Sequence, residues 1–381
     1  MWYYPSKKDH DIFLLTLNEK EVTLIKLFDP YISNTEINAA ANVIRSKFWA
    51  SGGGTGNVKK FEEIFCKYTK SKRCVAVSNG TAALHLTLSL FNVKDKEVLV
   101  PSLTFVSSAS SIVYNGGKPV FVDVDPETLC VDPQAIRKKI SKKTAAIVTV
   151  DFAGMPSNIK EIKKIAKEYN IPIIEDASHS AGATYDGKRI GSHSDAVCFS
   201  FHPVKNLAMP TGGAICLNGK NFSKKEKMLQ SLRWCGIENR KGFDYDVNRL
   251  GWNYYMNEVS AAIGLVQLKK LDKANKIRKN IAKRYVTELK IENKMPYSND
   301  CSYHFYWIRV KNRMKFMKKM SEKGIETGIH YKPVHLMTYY KNNTKLPITE
   351  IISKEIVSIP THPNLNEKEI DYIIKSINCL T

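Results

Sequence analysis

The chain has 381 residues, 43% apolar and 25% charged, which is enough to bury a large core and a second, smaller domain without disulfide staples. Its 8 cysteines stand singly, with no CxxC pair and no His-x-x-x-His partner, so no metal site is expected. The formal charge of +21 is spread through lysine pairs such as Lys163-Lys164 and Lys269-Lys270 beside helical patterns, as on a solvated surface, and no recognition-helix or basic aromatic strand motif makes nucleic acid an expected partner.

Residues 1–26 read as an N-terminal extension in which Phe13-Leu14-Leu15 and Val22-Thr23-Leu24 form a short strand pair. Met1-Trp2-Tyr3-Tyr4-Pro5 lacks the basic start and apolar stretch of a secretory leader. No apolar run approaches the ~20 residues that span a bilayer, so no membrane association is expected and the protein is read as cytoplasmic. From about residue 73, short β-rich runs alternate with helical stretches, the pattern of an α/β fold with a mainly parallel sheet flanked by helices. The strands are expected at Cys74–Val77, Val98–Val100, Pro119–Val122, Ala146–Val150, Pro172–Ile174, Ala196–Phe199 and Ala214–Leu217. Thr81–Leu90 is apolar on most faces, as a buried helix would be, and Ile159–Tyr169 is amphipathic through Ile162, Ile165 and Ala166. After about residue 250 the texture changes. Glu258–Leu271 and Asn275–Leu289 read as two long helices, His304–Val310 as a strand, and Glu367–Cys379 as a closing helix. This divides the chain into a large domain, 27–255, and a smaller C-terminal α+β domain, 256–381.

Four strand ends carry polar motifs. In Ser78-Asn79-Gly80-Thr81, a strand gives way to a helix at a glycine, and the free N–H groups and dipole of that helix could cradle a phosphate. Alone, the turn fits an ordinary helix cap equally well. In Ile173-Ile174-Glu175-Asp176-Ala177-Ser178-His179, an apolar strand delivers an acid to the edge where open parallel sheets gather ligands. Asp176 there could pair with a protonated ring nitrogen or cap a helix, and His179 could touch a cofactor or be structural. In Phe199-Ser200-Phe201-His202-Pro203-Val204-Lys205-Asn206, a lysine just past an apolar strand can project over the same edge and serve as nucleophile and base. In Pro101-Ser102-Leu103-Thr104-Phe105, the Phe105 ring either faces a flat ligand or joins the core.

Taken together, these motifs resemble those of the DegT/StrS-type sugar aminotransferases, which are fold-type I pyridoxal-phosphate enzymes, from about Leu27 to near the C-terminus. Through Pro101-Ser102-Leu103-Thr104, Phe199-Ser200-Phe201-His202, Lys205-Asn206 and Thr327-Gly328-Ile329-His330, the chain is most similar to members that aminate a UDP-4-keto-pentose. The resemblance implies that Lys205 forms a Schiff base with pyridoxal 5'-phosphate, Asp176 pairs with the pyridine nitrogen and Phe105 stacks on the ring. It further implies that Gly80, Thr81 and Ser200 contact its phosphate, and His179, close to Asp176, is read as a cofactor contact beside them. Asn257 would reach the cofactor phosphate of a neighbouring subunit, which implies a homodimer with shared active sites. His202, His330, Tyr331, Lys332 and His335 are candidates for substrate contact.

The implied reaction moves an amino group from an amino acid, glutamate by family habit, to a nucleotide-linked keto-sugar. One position departs from the pattern: Thr211 stands where the family usually has glutamate. An aminotransferase acting on a cyclitol ketone or free keto-sugar, and a non-catalytic regulator with the same fold, stay open as alternatives. An intact Lys205 and Asp176 pair counts against the regulator, as does histidine's absence from position 205 against the sugar dehydratases of similar fold.

Overall fold

The computed structural model describes residues 24–381, so the strand pair expected before them lies outside the described residues, Leu24 apart. Seven strands make the main sheet: β1 (Arg73–Val77), β2 (Glu97–Pro101), β3 (Lys118–Val122), β4 (Thr144–Val150), β5 (Ile173–Asp176), and, after the small hairpin β6 (Thr184–Tyr185) and β7 (Lys188–Arg189), β8 (Ala196–Ser200) and β9 (Gly213–Leu217). All seven expected strands are present. Their order is β1-β9-β8-β5-β4-β2-β3, with every neighbouring pair parallel except the two that involve β9. The strands are apolar on both faces because helices cover both faces.

The lone antiparallel strand decides where the chemistry sits. β1, β5 and β8 all end at one edge of the sheet, and β9, running the other way, begins there: Gly213 is paired with both Val77 and Ser200. The loop 201–212, which leaves β8 and returns as β9, is therefore confined to that edge. Close approach makes glycine necessary at position 213, where a Cβ would come within 2.5 Å of the Asn79 carbonyl oxygen.

The helix Gly80–Ser89 is buried along nearly its whole length, as its apolar composition requires, and packs on the sheet. The helix Ile159–Glu168 buries Ile159, Ile162, Ile165 and Ala166 and leaves its lysines in solvent. Where two helices were expected, a single helix runs from Glu258 to Glu288. Asp272-Lys273-Ala274 contains neither glycine nor proline, so nothing interrupts the backbone hydrogen bonds there. This helix lies first against Asn34–Ser46 and Gly56–Thr69, and its far end, through Ile281, Ala282 and Tyr285, enters a separate apolar core.

That second core is closed by the antiparallel pair β12 (Tyr306–Arg309) and β13 (Ile356–Ile359), which follow the exposed hairpin β10 (Ile237–Lys241) and β11 (Asp244–Val247), and by the helix Glu367–Asn378. The expected strand at His304–Val310 thus begins two residues late. Ser302 and His304 are instead bonded by backbone or side chain to Ala153, Gly154 and His179, which pulls this segment off the ladder and toward the sheet edge.

A buried ion pair lies beside the end of β1. Arg233 is fully buried, forms an ion pair with Glu62 and donates to the Ala76 carbonyl at 2.7 Å, while Glu62 also accepts the Ala76 amide at 2.8 Å. Arg233→Met is expected to lower stability by about 3–5 kcal/mol, because it strands the Glu62 carboxylate in the interior. Chemical denaturation of the full chain checks this value.

Candidate active site

At the sheet edge lies a cavity of about 680 Å³ that brings together Gly80, Thr81, Phe105, Asp176, His179, Ser200, His202, Lys205, His330 and Tyr331. Its position follows from the strand ends. Each motif named from the sequence sits in the turn after a parallel strand, and such turns converge where the helices on the two faces diverge.

Gly80 opens its helix, and Asn79 caps it by accepting the Ala82 amide at 2.8 Å. The Gly80 and Thr81 amides precede the first intrahelical bonds and are given no partner among the described residues. A Cβ on residue 80 would lie 2.7 Å from Cβ of Ser200, so the glycine keeps the space between the two turns clear. These amides, the helix dipole and the Thr81 and Ser200 hydroxyls form a site suited to a phosphate. Gly80→Val should therefore weaken cofactor binding about 10-fold or more, as read by equilibrium titration of the cofactor-free protein.

Asp176 ends β5 and is buried. Its Oδ2 accepts the Ser108 hydroxyl at 2.8 Å, and its Oδ1 accepts the Ser178 amide at 3.1 Å and the Ser178 hydroxyl at 2.5 Å. No helix starts at this point, so the capping alternative is excluded, and the Ser108 and Ser178 hydroxyls hold the carboxylate at the cavity wall. Phe105 is an aromatic side chain 50% exposed, and its ring is turned into the cavity with the Tyr331 ring 6.0 Å away. An apolar ring kept open to a polar cavity is a stacking face rather than a core residue.

Lys205 stands in the loop 201–212, half-buried, with its Nζ 3.4 Å from Nε2 of His304. Burial pulls its amine down to about 8, and the negative charge of Asp176 opposes that shift. Its neighbours are neutral bases. Burial, reinforced by Lys205, holds His179 and His304 well below the ordinary histidine range and takes His330 to about 3. Tyr331 donates to or accepts from His179 Nε2 at 3.1 Å, and burial together with the Asp176 charge keeps its phenol protonated. Thr211 donates to the Ser78 carbonyl at 2.5 Å, tying the lysine loop to the end of β1 with an uncharged group.

Three candidates lie elsewhere. His335 is fully buried between Ser102 Oγ, 2.6 Å away, and Glu350, 3.4 Å away, and neither it nor Lys332 lines the cavity. Clustering in sequence misled because Pro333 and the short helix at Val334–Leu336 turn the chain inward after Tyr331. Asn257 also does not line this cavity; it caps the long helix, accepting the Ser260 amide at 2.8 Å.

The sequence reading missed His304, Phe28, Ser108 and Ser178. His304 left a signal, being a polar residue inside the otherwise apolar run Tyr303–Ile308, where an unpartnered side chain would be costly.

A mainly parallel sheet with one reversed strand, and a cavity lined by an amine, a buried carboxylate and a helix start suited to phosphate, match a pyridoxal-phosphate-dependent aminotransferase. The model of the DegT/DnrJ/EryC1/StrS aminotransferase family matches residues 30–378. An uncharacterized protein of Methanocaldococcus jannaschii is 32% identical, with 92% of this chain and 96% of that protein covered. Among solved structures, the PLP form of Spr1654 from Streptococcus pneumoniae, a candidate sugar aminotransferase, superposes with a TM-score of 0.87 at 27% identity, covering 94% of this chain and 98% of that one. PseC of Helicobacter pylori, an aminotransferase involved in the biosynthesis of pseudoaminic acid, gives 0.87 at 27% identity with 93% and 98% covered. The chain belongs to the DegT/DnrJ/EryC1/StrS aminotransferase family. No described helix is long and apolar enough to cross a membrane.

Proposed function

We propose that this chain transfers an amino group from an amino acid, with glutamate as donor, to a keto-sugar carried on a nucleoside diphosphate. The observation that carries the reading is the placement of Lys205 and Asp176 in one cavity whose far wall is the Gly80–Thr81 helix start. Pyridoxal phosphate, when bound, supplies an aldehyde carbon that bonds amines and a cationic ring that draws electrons from the adjoining carbon.

The chain's own residues divide the remaining work. Gly80, Thr81 and Ser200 would bind the phosphate, Phe105 would present a flat face to the ring, and Asp176 would favour a proton on the ring nitrogen. His179 sits beside Asp176 in sequence and is fixed by Tyr331, so it is assigned to the ring as well. Lys205 is the covalent anchor. Its amine, when not bonded to the cofactor, would be the base that takes a proton from the donor's α-carbon and holds it at Nζ. A lysine of about 8 suits both acts, since roughly a tenth is neutral at pH 7 where an ordinary lysine of 10.5 has almost none.

His202, His330 and Tyr331 line the same cavity and are assigned to the sugar, and the net charge of +21 favours capture of a diphosphate. Asn257 lies outside its own chain's cavity, which supports its assignment to a second subunit's phosphate and hence a homodimer.

The test is absorbance of the protein with pyridoxal phosphate, before and after glutamate, followed by a panel of keto-sugars free and linked to UDP or dTDP. Conversion to the amine form of the cofactor by glutamate, reversed by a nucleotide-linked keto-sugar, is the expected result. Reversal by free keto-sugars or cyclitol ketones alone would overturn the nucleotide assignment, and a cofactor unresponsive to glutamate would overturn the donor.

A further inference from the structure

The Lys205 amine has a four-carbon stem with many rotamers, yet it must serve two carbon atoms in turn. Something has to aim it. Among the described residues the one hydrogen-bond partner of its Nζ is His304 Nε2, at 3.4 Å. Asp176 acts on the amine by charge and spends its own acceptors on Ser108 and Ser178.

The His304 ring is in turn fixed by stacking. It lies between Phe28, 5.1 Å away and 21° from parallel, and His179, 4.7 Å away and 29° from parallel. It is 3% exposed and lines the cavity, and its Nδ1 has no hydrogen-bond partner among the described residues. No second hydrogen bond therefore sets the ring's orientation; the two flanking rings do, and they leave Nε2 toward the amine.

We propose that His304 is the positioning residue of Lys205, its Nε2 lone pair taking one N–H of the amine and so directing the amine toward the reacting carbons. The inference rests on Lys205 being the reacting amine. It requires His304 to be a neutral acceptor, and the surroundings make it one. Lys205, His179, His330 and Arg278 are the charged or basic groups acting on it, and each, like burial, disfavours a second positive charge. Around Lys205, Asp176 is the acid. His179, His202 and His330 are kept neutral by burial, and Glu326, also at the cavity wall, is engaged by the Leu27 amide at 2.9 Å.

The experiment measures Lys205 in the full chain freed of cofactor. Lys205 is labelled with formaldehyde and cyanoborohydride across a pH series and quantified by mass spectrometry of its peptide. The wild-type midpoint should fall near 8. His304→Phe keeps a stacking ring but removes the acceptor, so the ammonium is less favoured and the midpoint should drop by about 1 pH unit. His304→Gln loses the ring but keeps an acceptor, and should stay nearer to wild type. If His304 only fills space, the order reverses, with Phe behaving as wild type and Gln shifting; either that order or an unshifted Phe variant overturns the proposal. Should His304→Phe not fold, His304→Leu takes its place in the same comparison.

In the loaded protein, His304→Phe should slow the half-reaction with glutamate about 10-fold or more at saturation while leaving KM near wild type. A rise in KM alone overturns the positioning role. The labelling series needs neither cofactor nor substrate, so it stands even if glutamate fails as donor.

Discussion

Lys205→Ala is expected to remove the absorbance band of lysine-bound cofactor and to slow amino transfer from glutamate by at least about 10⁴-fold. Two functions are lost together, the covalent anchor and the base that moves the proton, and general acid–base catalysis alone contributes about 10²–10⁴. Folding should survive. The amine falls from 10.5 to about 8 because burial disfavours its charge, so between those values the unfolded chain binds the extra proton. Stability therefore rises with pH from about 8 toward 10.5, and below that window the buried ammonium is a cost to the folded state. At pH 7 the alanine variant should be no less stable than wild type, as thermal melts will show, which separates lost chemistry from lost structure. The same shift fixes a pH profile for the wild-type chain. Capture of pyridoxal phosphate by the cofactor-free protein should rise nearly tenfold per pH unit below about 8 and level off above, because the neutral amine is the attacking form.

Asp176→Asn is the second large effect, a loss of about 10²–10³-fold in turnover with the cofactor still bound. Asparagine matches the shape of aspartate and can still accept the Ser178 amide, so the end of β5 should hold. What disappears is a negative charge fixed at the cavity wall by two serine hydroxyls. Without it a ring nitrogen there has no reason to keep its proton, and electron withdrawal weakens. The variant also tests the coupling across the cavity. Asp176 favours the Lys205 ammonium, so removing its charge should move the midpoint of cofactor capture below about 8. Stopped-flow absorbance over pH gives both quantities. Lower turnover together with an earlier midpoint supports the assignment, whereas a lost fold or an unmoved midpoint counts against it.

Much of this architecture was legible because its signals are local. The runs Val98-Leu99-Val100 and Ile173-Ile174 could be nothing but buried strands, and each polar motif followed one of them directly. Asp176 and Lys205 could be named because a strand end in an open parallel sheet points to one edge whatever the rest of the chain does. Continuity was harder to see. Glu258–Glu288 was divided in two because its apolar spacing shifts near Asp272, where its first half leaves the large core and its second half enters the other. Periodicity reports the face that is buried, and this helix changes partners along its length.

The sequence alone determined the fold class, the family, and the residue types that meet at the sheet edge, because each depends on a short run of neighbours. Only the tertiary structure decided that His304, 99 positions from Lys205, is the partner of its amine. It likewise decided that Ser108 and Ser178 hold Asp176, and that His335 is buried against Ser102 and Glu350 rather than turned to the cavity. Lys205 with His304, Asp176 with Ser108 and His335 with Ser102 each join segments far apart in the chain, and no local pattern encodes such pairings.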